Sequence, residues 1–317
     1  MTKRALPALG LFFLAPLVAE FVLGNLPITA LFALVALAPL YGGGAVLIRE
    51  IVRRRGGGYP SVVLLALAYG VLEEGVTTMS LFNPNYAGLR LLDPGHLDAL
   101  GMGGPWTVFV LGLHTVWSIT VPIVVMESIS RRPREPWLGK LGLSLYAVLF
   151  VLGVVANNAF AIANDPFVAE PGQFAGVAVA IVVLVALAIR VGKRPRLELA
   201  GAVPPIWMAG ITGLVLSSAW MLSDDLINAP WLKTAVVLAI DGLATALLLT
   251  WSRRTAWTQR HSLAVAGGAL LTYVWHAFPE SPVSAASATT DLIGNILFGL
   301  VAVAVLVFAA HRSRADS

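Results

Sequence analysis

The sequence has 317 residues, of which 58% are hydrophobic and only 12% are charged, and its formal net charge is +4. A water-soluble domain of this length could not hide so much apolar surface from water, so the composition excludes a soluble globular protein. The chain has no cysteine, which excludes disulfides, thiol catalysis and cysteine-ligated metals.

Ten apolar stretches follow one another along the chain, separated by short polar connections. A helix that crosses the hydrocarbon core needs about 20 mostly apolar residues, and each stretch is close to that length. Because the stretches use nearly the whole chain, we predict an all-α fold, a polytopic membrane helix bundle that forms a single integral membrane domain over residues 1–317. The predicted spans are 5–23, 27–48, 60–82, 105–128, 138–162, 172–190, 203–222, 231–251, 261–278 and 290–310.

The basic residues are sorted by position along the chain. Of the 21 Lys and Arg residues, 19 lie at a terminus or in every other connection, and only Arg90 and Lys233 lie in the alternate set. Because cytoplasmic loops of membrane proteins are enriched in Lys and Arg, the pattern predicts that both termini are cytoplasmic. These residues then face anionic lipid headgroups, so the expected partner is the bilayer and not nucleic acid. Arg outnumbers Lys 17 to 4, which is typical of GC-rich bacterial genomes and favours the bacterial cytoplasmic membrane.

Carboxylates in the hydrocarbon region, away from the helix ends, are the most informative residues, because a charge there is costly and usually functional. Four qualify: Glu20, Glu73, Glu74 and Asp241. Adjacent helical residues point about 100° apart, so we predict that one of the paired glutamates faces a cavity and the other contacts a neighbouring helix. Helical spacing places Tyr69, Glu73, Thr77 and Ser80 on one face, and Gly70, Glu74 and Thr78 on the adjoining face.

Polar residues of other helices fall at a similar depth. The fourth helix carries His114, with Ser118 one turn later on the same face. With the predicted topology these side chains and the glutamates lie in the outer half of the membrane, which predicts a polar cavity that opens outward. The candidate catalytic residues are Glu73, Glu74 and His114. The supporting polar cluster, mainly from helices within residues 60–165, is Tyr69, Thr77, Thr78, Ser118, Asn157, Asn158 and His276.

Structural explanations exist for most of these positions. Glu20 can reach the outer interface by snorkelling, and Asp241 can pair with a neighbouring helix. Asparagine in a membrane helix is typical of interhelical hydrogen bonds, which applies to Asn157, Asn158 and Asn295. Topology alone explains the basic run at residues 49–55.

A glutamate and a histidine in a wet cavity can hydrolyse a peptide bond without a cysteine or serine nucleophile. The glutamate acts as general base on water, and the histidine orients the water or helps to stabilise an oxyanion. Here Glu73-Glu74 on one predicted helix is followed by Phe109 and His114 on the next. This arrangement resembles the CAAX-protease and bacteriocin-processing superfamily of glutamate intramembrane proteases, whose members carry an EExxxR motif on one helix and an FxxxH-type motif on a later helix.

The resemblance covers residues 60–165 and implies an intramembrane peptidase that acts on a membrane protein or peptide. Glu73 or Glu74 would be the base and His114 its partner. The sequence departs from the motifs because Thr78 stands in place of the Arg, the second motif has one extra residue, and a third motif, His followed by Asn or Asp, has no clean match. Glu73, Glu74, His114 and His276 are residue types that can ligate a metal. No spacing specifies a metal, so neither metal nor cofactor is predicted.

The competing hypothesis is a proton- or cation-coupled small-molecule transporter of about ten helices, a size similar to the drug/metabolite transporter superfamily. Its intramembrane carboxylates would alternate between charged and neutral forms, with Asp241 and Glu20 as coupling residues beside the glutamate pair. A transporter requires Asp241 to join the outer cluster, whereas a peptidase requires a glutamate and His114 within reach of one water. A third class is an accessory subunit, whose polar groups would only hold helices together.

Overall fold

The computed structural model describes residues 5–193 and 199–315, and within this part it is an all-α bundle with ten long helical segments. Three segments contain a π-helical stretch: α1 (Leu6–Pro16, then Leu17–Val22), α3 (Tyr59–Leu72, then Glu73–Thr77) and α4 (Gly104–Leu113, then His114–Thr120, then Val121–Ile129). The others are α2 (Ala33–Arg54), α5 (Lys140–Asn164), α6 (Pro171–Gly192), α7 (Ile206–Leu226), α8 (Pro230–Ser252), α9 (Gln259–His276) and α10 (Ala288–Ala315).

Eight of these segments, α2 to α8 and α10, are long and apolar enough to cross a membrane. The predicted class, an all-α multi-pass membrane protein, is therefore confirmed. The two remaining segments, α1 and α9, are shorter or less apolar. The largest shift of a boundary is at α2, which begins at residue 33 instead of 27 because a 3₁₀ turn, Ile28–Ala30, precedes it.

Proline fixes where several helices begin. Pro60, Pro105, Pro171 and Pro230 each occupy the first or second position of their helix. At this position the missing N–H has no intrahelical partner to lose, and the fixed φ angle is already helical. These prolines therefore set the starts of α3, α4, α6 and α8 close to the predicted boundaries.

The bundle has an inner and an outer layer. The inner helices are α1, α2, α3, α4 and α9, and α4 lies centrally in contact with α1, α3, α9 and α10. In the outer layer, α5 packs on α2, α6 on α3, α7 on α9, and α8 on the first part of α4. The helices α5, α6 and α8 bury few of their residues and expose rows of Val and Leu, as expected of surfaces in contact with lipid.

Glycines permit the closest helix contacts. A Cβ at Gly42 would overlap the backbone of Phe12, and a Cβ at Gly268 would overlap the backbone of Gly210. Helix association in a membrane depends on such close backbone approach, because lipid is as apolar as the side chains. The α1–α2 and α7–α9 pairs are thus packed through small residues.

Alternate connections meet at the same end of the bundle. Arg54, the last residue of α2, donates to the carbonyl of Leu138 before α5 at 2.6 Å, and Arg254 after α8 donates to the carbonyl of Ala200 before α7 at 2.8 Å. At the opposite end, Asn83 after α3 donates to Asp165 after α5 at 2.6 Å. We name these the basic end and the acidic end.

A buried ionic network, formed by Arg49, Glu50, Arg53 and Glu127, lies at the basic end. Glu127 of α4 accepts from the Nε atoms of Arg49 and Arg53 at 3.1 and 2.6 Å, and Nη1 of Arg49 lies 2.7 Å from Glu50. The Arg49 and Glu50 side chains are fully buried, and the Trp137 ring covers the guanidinium of Arg49 at 3.5 Å. The basic run, predicted from topology alone, therefore also holds α2 against α4.

We expect Glu127→Gln to lower the melting temperature of the purified protein strongly. The amide would leave Arg49 and Arg53 buried without their shared counter-charge, and breaking a buried pair costs about 3–5 kcal/mol. Glu135→Gln is the matched control, because Glu135 pairs with Arg132 at the surface. Melting is measured in detergent by size-exclusion chromatography after heating. An equal melting temperature for both variants would contradict a structural role of the network.

Candidate functional site

The three π-helical stretches carry most of the ionisable residues predicted for the site. Glu20 lies in Leu17–Val22, Glu73 and Glu74 open Glu73–Thr77, and His114 opens His114–Thr120. A π-helical turn inserts an extra residue into the hydrogen-bond ladder, and it recurs at functional sites. The extra residue changes the direction of the side chains, so ordinary helix spacing does not place them.

His114 lies between the two paired glutamates. Its Nε2 is 2.7 Å from Oε1 of Glu74, and its Nδ1 is 3.1 Å from Oε2 of Glu73. All three side chains are less than 10% exposed. We name these residues the Glu/His cluster. Because each ring nitrogen faces a carboxylate, the imidazole can carry a proton on both nitrogens and remain paired.

Glu74 is the anchored carboxylate of the pair. Besides His114, it accepts from the hydroxyl of Thr78 at 3.0 Å and from the hydroxyl of Ser80. The Ser80 hydroxyl in turn accepts from the indole N–H of Trp106 at 3.1 Å. These contacts fix one oxygen of Glu74 on the hydroxyls and the other on the imidazole.

The turn that brings Ser80 to Glu74 needs an unusual backbone. Met79 has a φ of 56°, in the left-handed region that a side chain rarely adopts. Helical spacing had placed Ser80 on the face of Glu73, but the helix ends before this residue and the chain folds back. Ser80 therefore contacts Glu74 instead.

Glu73 lies on the face that helical spacing predicted and is held less firmly than Glu74. Its buried Oε2 lies 3.1 Å from Nδ1 of His114 but not in hydrogen-bond geometry. The buried hydroxyl of Tyr69 lies beside Glu73, and the buried hydroxyl of Thr77 makes no hydrogen bond to another described residue. Because an unpartnered buried polar group costs about 1–3 kcal/mol, this side of α3 is suited to a polar ligand.

Two tyrosines line the cluster. The ring centroids of Tyr41 and Tyr69 lie 6.0 and 6.1 Å from that of His114. A Cβ at Gly44 would stand 2.6 Å from the Tyr69 ring, so only glycine lets α2 approach this closely. Tyr41 was not among the predicted site residues, and the three glycines that follow it in the sequence are the signal of this close approach.

Glu20 joins the site through Tyr41. The Tyr41 hydroxyl donates to Oε1 of Glu20 at 2.5 Å, and the Asn25 amide donates to Oε2 at 2.5 Å. Glu20 therefore has specific partners and does not simply extend to an interface. It belongs to the wall of the site nearest the acidic end.

The predicted asparagines lie outside the cluster. Asn158 donates to the carbonyls of Val76 and Thr77 at 2.8 and 3.2 Å, where it supports the π-helical stretch of α3. Asn157 donates within its own helix, and Asn295 donates to the carbonyl of Ala277. Ser118 does reach the cluster, because its hydroxyl lies 3.1 Å from Nδ1 of His114.

Asp241 and His276 occupy two other places. Asp241 lines a cavity of about 140 Å³ with Trp117 and Trp220, and no member of the Glu/His cluster lines it. His276 lies at the acidic end, with Nε2 3.1 Å from Asp225 and Nδ1 3.4 Å from Glu280. The residues of suitable type for a metal thus form two separate groups: Glu73, Glu74 and His114, and Asp225, His276 and Glu280.

The long connection from α3 to α4 packs over the acidic end. Leu81, Phe82 and Leu92 are buried, and a two-residue hairpin, His96–Leu97 with Met102–Gly103, follows. The connection covers the helix ends beside Ser80 and does not form a helix that enters the bundle.

A family model described as an uncharacterized membrane protein family matches residues 9–314, nearly the whole chain. No curated protein and no solved structure matches the chain. The membrane assignment is therefore supported by both the helices and the family, and neither names a reaction.

We expect Glu74→Gln to destabilise the protein and Glu73→Gln to have little effect on its stability. Glu74 has three partners, and replacing one oxygen by an amide N–H₂ opposes a donor against a donor at a cost of about 1–3 kcal/mol. Glu73 has a weaker contact, because its Oε2 lies 3.1 Å from Nδ1 of His114 without hydrogen-bond geometry. The two variants are matched controls for each other. The prediction is tested by comparing their melting temperatures with that of the wild type in the same detergent. Equal losses would show that the two carboxylates are held alike.

Proposed function

We propose that this chain, which belongs to an uncharacterized membrane protein family, is an intramembrane peptidase in which Glu73 activates water. The observation that carries the proposal is the difference between the two glutamates. Glu74 accepts from Thr78 and Ser80 as well as contacting His114, whereas the buried Oε2 of Glu73 lies 3.1 Å from Nδ1 of His114 without hydrogen-bond geometry. A general base needs a carboxylate within reach of water and a neighbour that fixes its orientation.

Each residue of the site has a role in such a reaction. Glu73 removes a proton from water, and the hydroxide attacks the carbonyl carbon of the peptide bond. The Tyr69 hydroxyl, a buried donor beside Glu73, is suited to the oxyanion that forms. Collapse of the tetrahedral intermediate breaks the C–N bond, and the proton held by Glu73 passes to the amine. Glu74 and Ser118 hold the imidazole in place.

The position of the cluster limits the substrate. Its side chains are buried between apolar helices, and the buried ionic network lies at the basic end of α4, the helix that also carries His114. We therefore expect a transmembrane or membrane-inserted peptide that enters from the acidic end or from lipid. With the basic end in the cytoplasm of a bacterial cell, cleavage falls in the outer half of the membrane.

A proton-coupled transporter is the second candidate, and the histidine between two carboxylates favours it. Glu73 and Glu74 both contact one imidazole, and Glu20 accepts from Tyr41 beside it, so the site can gain or lose a proton during a conformational change. The cavity lined by Asp241 does not include the cluster, so a pathway through Asp241 gains no support.

The test compares wild type, Glu73→Gln, Glu74→Gln and the surface control Glu135→Gln. Each is expressed in a host cell, and new protein N-termini in the membrane fraction are quantified by mass spectrometry. Loss of the general base should reduce cleavage about 10²- to 10⁴-fold in Glu73→Gln. Glu135→Gln should match wild type, and Glu74→Gln should lose activity together with stability.

Two outcomes would overturn the peptidase. One is cleavage that persists unchanged in Glu73→Gln. The other is the absence of cleavage by wild type together with a proton flux into liposomes that Glu73→Gln abolishes, which would establish the transporter instead.

A further inference from the structure

The acidic end carries a second group of ionisable residues that the proposed peptidase does not use. Asp225 lies near the end of α7, His276 is the last residue of α9, and Glu280 follows in the α9–α10 connection. Each residue offers one ligand atom, and the three atoms lie within 4.8 Å of one another. We propose that Asp225, His276 and Glu280 form a binding site for a divalent transition metal such as Zn²⁺.

The histidine supplies the fixed part of this site. Its side chain is only 5% exposed, and its Nδ1 is buried without a hydrogen-bond partner among the described residues. Two ligands about 2.0–2.1 Å from a tetrahedral zinc ion stand roughly 3.3 Å apart. The distance from Nε2 of His276 to Oδ2 of Asp225 is 3.1 Å, so these two atoms are already spaced as zinc ligands.

The carboxylates supply the adjustable part. The side chains of Asp225 and Glu280 are 42% and 43% exposed, so both can rotate toward an ion that enters from water. In the present geometry Asp225 lies beside Nε2 and Glu280 beside Nδ1, so Glu280 has to rotate away from Nδ1 to reach an ion held by Nε2 and Asp225.

Local charge also favours a divalent cation. Lys233 is paired with Asp224 at 2.9 Å, whereas Asp225 and Glu280 both lie beside His276. The two carboxylates at His276 carry two negative charges, which one divalent ion can neutralise. An imidazole nitrogen among the ligands favours zinc over magnesium or calcium, which prefer oxygen.

A metal here would tie α7 to α9. These helices already meet through the hydroxyls of Ser217 and Thr272, which are 2.6 Å apart, and through the glycine contact described above. The proposed ion adds a link at the acidic end, where the α9–α10 connection leaves the bundle. Its binding should therefore raise the melting temperature.

The experiment uses the full chain in detergent after removal of metals with a chelator. Zn²⁺ is titrated by calorimetry, and the melting temperature is followed at each Zn²⁺ concentration. We expect one saturable site per chain and a rise in melting temperature that Mg²⁺ at the same concentration does not give. His276→Gln and Glu280→Gln should each weaken binding at least tenfold.

Two controls locate the site. His96→Gln removes another histidine of the acidic end, which faces Asp98 at 3.7 Å, and His114→Gln removes the histidine of the Glu/His cluster. Both should leave Zn²⁺ affinity unchanged. Binding that survives in His276→Gln and Glu280→Gln, or no saturable binding by wild type, would overturn the proposal. The latter result would leave the contacts of His276 with two carboxylates as the whole explanation. Neither result bears on peptide cleavage.

Discussion

Charged and polar groups inside an apolar bundle have to find partners there, and the pairs they form determine how the inner helices pack. α4 carries one such group toward each end: His114 toward the acidic end and Glu127 toward the basic end. These residues are 13 positions apart, so about 20 Å of helix separates them. α3 supplies the partners of His114, and α2 supplies Arg49 and Arg53 to Glu127. The outer helices lack such pairs with α4 and pack chiefly through apolar and small side chains.

The π-helical stretches that carry the Glu/His cluster weaken the local backbone hydrogen bonding. A π turn lengthens the ring closed by each backbone hydrogen bond and leaves carbonyls in need of other partners. Asn158 meets that need for the stretch in α3, since its amide donates to two carbonyls there. An asparagine that a sequence argument assigns to a site can therefore serve the site indirectly, by stabilising the backbone that presents Glu73 and Glu74.

Much of the architecture could be predicted because it follows from local rules. Apolar length and proline gave the helices, and the alternating basic residues indicated which connections share an end. The contact of Glu73 and Glu74 with His114 agrees with the expectation that intramembrane charges seek one another. Ser80 could not be placed, because its contact with Glu74 depends on the positive φ of Met79. Tyr41 and Glu127 were missed because no local sequence pattern marks them. Their contacts are with other helices and depend on how those helices pack.

The group formed by Asp225, His276 and Glu280 could not be predicted from the sequence either. Its members come from two helices and a connection, so they form no motif of fixed spacing. His276 was expected near His114 because both lie at a similar depth along their helices. Depth alone does not specify the direction around the bundle, and α9 directs this side chain toward α7.

Ser80 joins the chemistry of the site to the connection that covers it. This residue begins the connection and donates to Glu74, while Trp106, just beyond the end of the connection, donates to Ser80. Any movement that lifts the connection must therefore change the hydrogen bonds of the carboxylate that holds His114. Thermodynamic linkage makes this influence reciprocal, so a ligand that alters the charge on His114 must also alter the free energy of opening the connection. Opening of the connection and a change of charge on His114 are then thermodynamically coupled.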